Sequence, residues 1–205
     1  MISRRLPCGP TSVMFELDTV EQAAALATQL CDRAVPGVIE VVPGARTVLV
    51  VAQRPEQLMS IDQIVAALGD GDVPTPAGEL VDVPTVYDGM DLVDVAGRTG
   101  LSVADVVDMH SAVEYRAAFS GFTPGFTYLT GLATALWLPR RSVPRPRVDA
   151  GSVAIGADFT GVYPTASPGG WHLLGHATVE MWNPSRTRPA FIVAGDRVRF
   201  VPVSE

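Results

Sequence analysis

Apolar and polar residues alternate over residues 12–17, the period-two pattern of a strand with one buried face. Over residues 20–33 the apolar positions recur every three or four residues, which predicts an amphipathic helix. Asp18 or Thr19 is placed to cap it, with Glu21 or Gln22 completing a capping box. β-Branched runs at residues 38–42 and 47–52, separated by Pro43-Gly44, predict a hairpin. Ser60 is expected to cap a helix over residues 61–68 that stops at Gly69. The order strand, helix, strand, strand, helix describes a split βαβ sandwich. A strand over residues 80–87 fits either this unit or the next.

Residues 70–78, DGDVPTPAG, are polar and rich in proline and glycine, as a linker is. They divide the chain into a small N-terminal α/β sandwich over residues 1–78 and a second domain over residues 79–205. Residues 92–98 and 103–111 predict two short helices around Thr99-Gly100, with Ser102 capping the second. Beyond Tyr115 helical periodicity ends. Strands are expected at residues 151–155, 171–174, 177–182, 190–193 and 197–201, with turns at Asn183-Pro184 and Gly195-Asp196. That spacing predicts an antiparallel barrel or sandwich, and the whole chain is assigned to the α+β class.

At 205 residues and 47% hydrophobic, the chain is able to bury one good core or two small ones. No stretch is long and apolar enough to span a bilayer, and MISRRLPCGPTSV lacks the apolar run of a secretory signal. Cys8 and Cys31 form no CxxC pair and are read as reduced thiols of a cytoplasmic protein. All 15 basic residues are arginine. Without lysine there is no P-loop lysine, no Schiff base with pyridoxal phosphate and no biotin attachment site. Residues 1–113 carry 6 arginines against 16 acids, whereas residues 114–205 carry 9 against 6. A net charge of −7 provides no footprint for nucleic acid, but the basic half is suited to an anionic ligand.

Candidate chemistry is concentrated in that second half. Within YRAAFSGFTPGFTYLTGL, Pro124-Gly125 suits the centre of a type II turn, which would hold Phe122 and Phe126 on a rigid platform between Tyr115 and Tyr128. Ser167, Pro168, Gly169, Gly170 and Trp171 combine a hydroxyl, an approachable backbone and an indole, a loop suited to binding an anion. It has no G-x-S-x-G elbow that would make Ser167 a nucleophile. Each loop alone also fits an ordinary barrel corner. Arg140, Arg141, Arg145 and Arg147 are spaced by prolines that keep the segment extended, and their planar forks suit carboxylate or phosphate. His110, ending the second short helix, is a candidate general acid or base. His172 and His176 would share one strand face, but no third ligand is placed to complete a zinc site, so no metal is expected.

Taken in order, GFTPGFTYLTGL, PRRSVPRPRV, GSVAIGADFTGVYP, SPGGWHLLGH and AGDRVRFVPV closely resemble the kinase-inhibitor / allophanate hydrolase subunit 1 family. The likeness runs over about residues 81–203, and VIEVVPGARTVLV is similar to the family's early strand pair. The best-defined enzymatic members are B subunits of ATP-dependent 5-oxoprolinases. The resemblance implies a cyclophilin-like barrel and a subunit of a lactam hydrolase, inactive alone, that opens 5-oxo-L-proline to L-glutamate. It implies a homologous subunit-2-type partner at a shared pocket, a third subunit, and ATP used by the complex, with no complete nucleotide site in this chain. His110, Ser111 and Tyr115 match the family's histidine–hydroxyl–tyrosine pattern. Arg140-Arg141 match its Pro-Arg-Arg motif, which is expected to hold a carboxylate or phosphoryl group. Two departures stand out: His176 where members usually carry arginine, and Phe159 where they carry glutamine. If that arginine meets substrate in relatives, His176 in its place implies a different ligand or pH-dependent binding. The resemblance also admits a regulator that inhibits a sensor histidine kinase, and a carboxyltransferase-type component related to urea carboxylase.

Overall fold

The computed structural model describes residues 2–68 and 78–204. Two compact units are distinguished, Met1–Pro76 and Ala77–Glu205. Apart from Gly78, the expected linker lies outside the described residues, as does Gly69.

The first unit is a four-stranded antiparallel sheet in the order β1-β2-β4-β3 with two helices. Its strands are β1 (Ile2–Pro7), β2 (Ser12–Leu17), β3 (Val38–Pro43) and β4 (Thr47–Ala52). Because β4 pairs antiparallel with both β2 and β3, these two run parallel with β4 between them. This is the split βαβ arrangement, crossed by α1 (Val20–Asp32). Alternation along β2 and β4 buries Val13, Phe15, Leu17, Val48, Val50 and Ala52. The helical stripe of α1, Ala23, Leu26, Ala27 and Leu30, covers them. Thr19 is the cap and accepts from the Gln22 N–H, while the Gln22 side chain reaches back to the Asp18 N–H. The second helix, α2 (Gln57–Leu68), corrects the expected Ser60 cap. It begins earlier because the Gln57 side chain accepts from the Arg54 N–H, which places Ser60 inside the helix. The edge strand β1 goes beyond what the sequence pattern predicts.

In the second unit seven strands close into a barrel in the order β10-β7-β6-β13-β5-β12-β9. These are β5 (Leu80–Val86), β6 (Tyr115–Ser120), β7 (Thr127–Thr130), β9 (Ser152–Gly156), β10 (Phe159–Val162), β12 (His172–Ala177) and β13 (Arg197–Pro202). The expected antiparallel barrel needs one correction, since β5 and β13 pair parallel. That pairing, with β12 on the other side, settles the 80–87 strand into this unit. A separate ribbon joins β8 (Arg145–Val148) to β11 (Ser167–Gly169). The expected strands at 177–182 and 190–193 reduce to the end of β12 and a single bridge between Trp182 and Ala190. Two helices, α3 (Leu92–Thr99) and α4 (Val103–Ser111), pack against β12 and β13. Gly100 ends α3 in the left-handed conformation, and Ser102 with Asp105 forms the capping box that starts α4.

Candidate functional site

The Tyr115–Leu132 segment is a hairpin of β6 and β7. At its tip the Phe126 N–H donates to the Thr123 carbonyl at 3.0 Å and Gly125 has φ +83°, as the type II turn requires. The two phenylalanines meet edge to face at 5.5 Å but differ in burial: Phe126 is buried, whereas Phe122 stands 59% exposed. Phe126 and Tyr128 meet Trp171 edge to face at 5.4 and 5.6 Å between ring centroids. Tyr163 adds a further edge-to-face contact with Phe126 at 5.4 Å. The two aromatic loops picked out by sequence therefore form one continuous wall. Phe159 belongs to it as well, packed on Phe119 and Tyr128.

The arginine segment and the Ser167–Trp171 loop also meet, because β8 pairs with β11 and places Gly169 opposite Arg145. Gly169 lies against the Tyr163 hydroxyl so closely that a Cβ there would collide with it. Gly169→Ala is expected to lower stability by about 1–3 kcal/mol by overpacking, measurable as a reduced thermal midpoint, and to displace the ribbon that carries the arginines.

Arg140 is held at both flanks. The Pro139 carbonyl accepts from His172 Nε2–H at 3.0 Å, and the Arg141 N–H donates to the Gly170 carbonyl at 2.8 Å. Its guanidinium lies 5.9 Å from the Trp171 ring centroid, within cation–π range. Among the described residues it has no carboxylate partner. Arg141 and Arg145 differ: both donate to Asp91 Oδ1, at 3.1 and 2.6 Å. Asp91 Oδ2 accepts from the Leu173 N–H at 2.8 Å, and the Asp91 N–H donates to the Leu173 carbonyl. Burial alone would raise the Asp91 pKa, but the Arg145 and Leu173 hydrogen bonds and the charges of Arg145 and Arg141 outweigh it. The carboxyl is held below its ordinary value. Two guanidiniums thus share one buried carboxylate, and Arg141 Nε and Arg145 Nη1 remain without hydrogen-bond partners. Arg147 pairs with Asp149 in an exposed ion pair. The Ser167 hydroxyl is buried and unpartnered, and Pro168 is exposed beside it, as is Pro124 at the other loop.

Three expectations need correction. His110 is fully buried, with Nε2 2.8 Å from the Thr160 hydroxyl and Nδ1 2.8 Å from the Tyr87 hydroxyl. Thr160 donates its proton to the Ala154 carbonyl, so His110 donates from Nε2 and accepts at Nδ1 from Tyr87. Desolvation holds its pKa down to about 3. It is a neutral, fully buried residue with both ring nitrogens engaged, which is not the placement expected of a general acid or base. Tyr115 is fully buried too, its hydroxyl taken by the His110 carbonyl and its ring by Phe200, so it does not line the aromatic wall. The histidines of β12 do not share a face: a register shift between Leu173 and Gly175 leaves His172 buried and His176 half-exposed against Asp88. His176 is not joined to the arginine cluster by any contact among the described residues. No group of three or more His, Cys, Asp or Glu side chains among them is arranged to hold a metal ion.

The sequence pattern gives Asp91 no role. It occupies the N-cap position of α3 yet makes no capping hydrogen bond, because its carboxylate is turned to the arginines and β12.

Residues 4–192 match the family described as carboxyltransferase domain, subdomain C and D. The chain is 41% identical to the 5-oxoprolinase B subunit of Escherichia coli O157:H7, over 96% of its own length and 94% of that protein's. Among solved structures it is similar to TTHA0988, with a TM-score of 0.80 and 35% identity, covering 95% of this chain and 40% of that one. The urea carboxylase of Kluyveromyces lactis shares the fold, with a TM-score of 0.75 at 17% identity over 98% of this chain and 22% of that one. The identity over nearly both full lengths decides the family: the chain belongs to the family of 5-oxoprolinase B subunits.

Proposed function

We propose that this chain is a subunit of an ATP-dependent 5-oxoprolinase that opens 5-oxo-L-proline to L-glutamate. It contributes a ligand-binding wall to a pocket shared with a subunit-2-type partner, and a third subunit completes the reaction. The observation that carries this reading is Arg140. It is an exposed guanidinium 5.9 Å from the Trp171 ring centroid and free of any described carboxylate, in a near-full-length relative of a 5-oxoprolinase B subunit.

The chemistry demands such a group. The substrate bears a carboxylate on a small ring, and a guanidinium fork matches the carboxylate while an aromatic face accommodates the ring. A lactam carbonyl is a poor electrophile, and coupling to ATP hydrolysis supplies its activation. In this chain Arg140 binds and orients the anionic group, and the exposed Phe122 borders the ring. With no lysine in the chain, the nucleotide is held by the complex rather than by a P-loop here. Cys8 and Cys31, both free, suit a reducing cytoplasm. No helix among the described residues is long and apolar enough to cross a membrane. Carboxyl transfer is a secondary reading, favoured by the description of the matching family; it would need a biotin carrier other than this lysine-free chain.

Equilibrium binding of radiolabelled 5-oxo-L-proline to the complex copurified with its subunit-2-type partner tests the reading. Saturable binding that depends on this chain supports it. An assembled complex that binds none removes it.

A further inference from the structure

Four arginines crowd one segment, yet the structure does not treat them alike. Arg141 and Arg145 converge on a single oxygen of Asp91, whose other oxygen is anchored to the Leu173 N–H. Asp91 is 4% exposed, so the carboxylate end of this contact is shielded and screened less than a surface pair, while the Arg141 and Arg145 side chains are 33% and 18% exposed. Arg140 sits between two backbone hydrogen bonds, one made by Pro139 and one by Arg141, and its guanidinium is spent on no acid among the described residues. The clamp therefore does two things. It neutralises part of the charge behind Arg140, and through the Arg141 backbone it sets where Arg140 stands over Trp171.

We propose that Asp91 is a positioning residue that holds Arg141 and Arg145 back and leaves Arg140 as the cation that meets a carboxylate or phosphoryl group of the ligand. The proposal rests on the reading of this wall as a ligand site. It does not require that the ligand be 5-oxoproline. Arg141 Nε and Arg145 Nη1 are buried without hydrogen-bond partners, so Asp91 engages only part of what the two guanidiniums can donate.

Phenylglyoxal labelling of the full chain, read peptide by peptide in a mass spectrometer, reports the arginines separately. The reagent must reach the guanidinium, and Asp91 engages Arg141 and Arg145 but not Arg140. Arg140 should label faster than Arg141 and Arg145, and inorganic phosphate should protect Arg140. In Asp91→Asn, Arg141 and Arg145 should label faster than in the wild type. Unchanged labelling of both in a folded Asn variant overturns the clamp. Phosphate protection of Arg141 in place of Arg140 overturns the division of roles.

The reconstituted complex supplies the kinetic arm. Asp91→Asn should raise KM for 5-oxo-L-proline about tenfold, the loss of roughly one charge-assisted contact, with kcat changed less. The same change should add little in an Arg140→Ala background, because Asp91 acts through Arg140. Full additivity of the two substitutions overturns the positioning role and leaves Asp91 a structural residue. If Asp91→Asn does not fold, Arg145→Gln opens the clamp from the other side, and an unchanged KM there overturns the proposal. A wild-type complex that does not turn over 5-oxo-L-proline removes the functional reading, while the labelling still decides the clamp.

Discussion

Arg140→Ala is expected to lower kcat/KM for 5-oxo-L-proline by about 10- to 100-fold, the loss of a charge-assisted hydrogen bond of about 1.5–3 kcal/mol. The protein should still fold and assemble. Arg140 is exposed and makes no ion pair among the described residues, so its removal should leave the thermal midpoint nearly unchanged. Trp171 stays in place because its contacts with Phe126 and Tyr128 do not involve the guanidinium. Arg140→Lys should recover part of the loss, since a point charge replaces the planar fork. Steady-state kinetics beside size-exclusion chromatography separate these effects. Full activity of an assembled Arg140→Ala complex would remove Arg140 from the site.

The second large effect is on stability. His110→Ala is expected to destabilise the barrel unit by about 3–5 kcal/mol, combining a core cavity with the loss of a buried hydrogen-bond partner by the Tyr87 hydroxyl. The pH dependence follows from the same burial. The folded pKa of about 3 lies below the ordinary 6.5, so between these values the unfolded chain binds a proton that the folded one refuses. The contribution is fully present above pH 6.5 and lost at about 1.4 kcal/mol per pH unit below it, as far as the folded value. Denaturant melts from pH 7 to 4 should show that slope in the wild type and lose it in His110→Gln. A wild type equally stable at pH 7 and pH 4.5 would contradict the neutral buried imidazole.

The contrast between these two residues shows what sequence exposes and what it hides. In sequence Arg140 stands out only as one of a pair with Arg141, through the prolines that flank the segment, the local excess of positive charge and the resemblance to a Pro-Arg-Arg motif. His110 has the same credentials by position, at a helix end before an aromatic loop, but its role depends on Thr160, fifty residues away on β10. No local pattern carries that contact. Asp91 is hidden for the same reason: its partners Arg141, Arg145 and Leu173 lie 50, 54 and 82 residues along the chain.

The same division holds for the elements. Where one face is buried and the other wet, as in β2, β4 and α1, alternation and helical spacing marked the element to within a residue or two. The edge strand β1 escaped because its residues are mostly exposed, leaving no apolar period to read. Residues 177–182 alternate convincingly yet form no strand beyond Ala177, since pairing there is scattered: the Thr178 N–H on the Pro84 carbonyl, the Phe191 N–H on the Met181 carbonyl, and the single Trp182–Ala190 bridge. The turn at Pro124-Gly125 was readable from φ preferences alone, whereas the parallel pairing of β5 with β13 joins residues too far apart for any local signal.

The central claim is that this chain supplies part of the ligand site of a 5-oxoprolinase. It is tested most directly by 5-oxo-L-proline-dependent ADP formation in the reconstituted complex, with and without the chain. The expected result is ADP formation that requires both the chain and 5-oxo-L-proline. A fully assembled complex whose ADP formation ignores either one would contradict it.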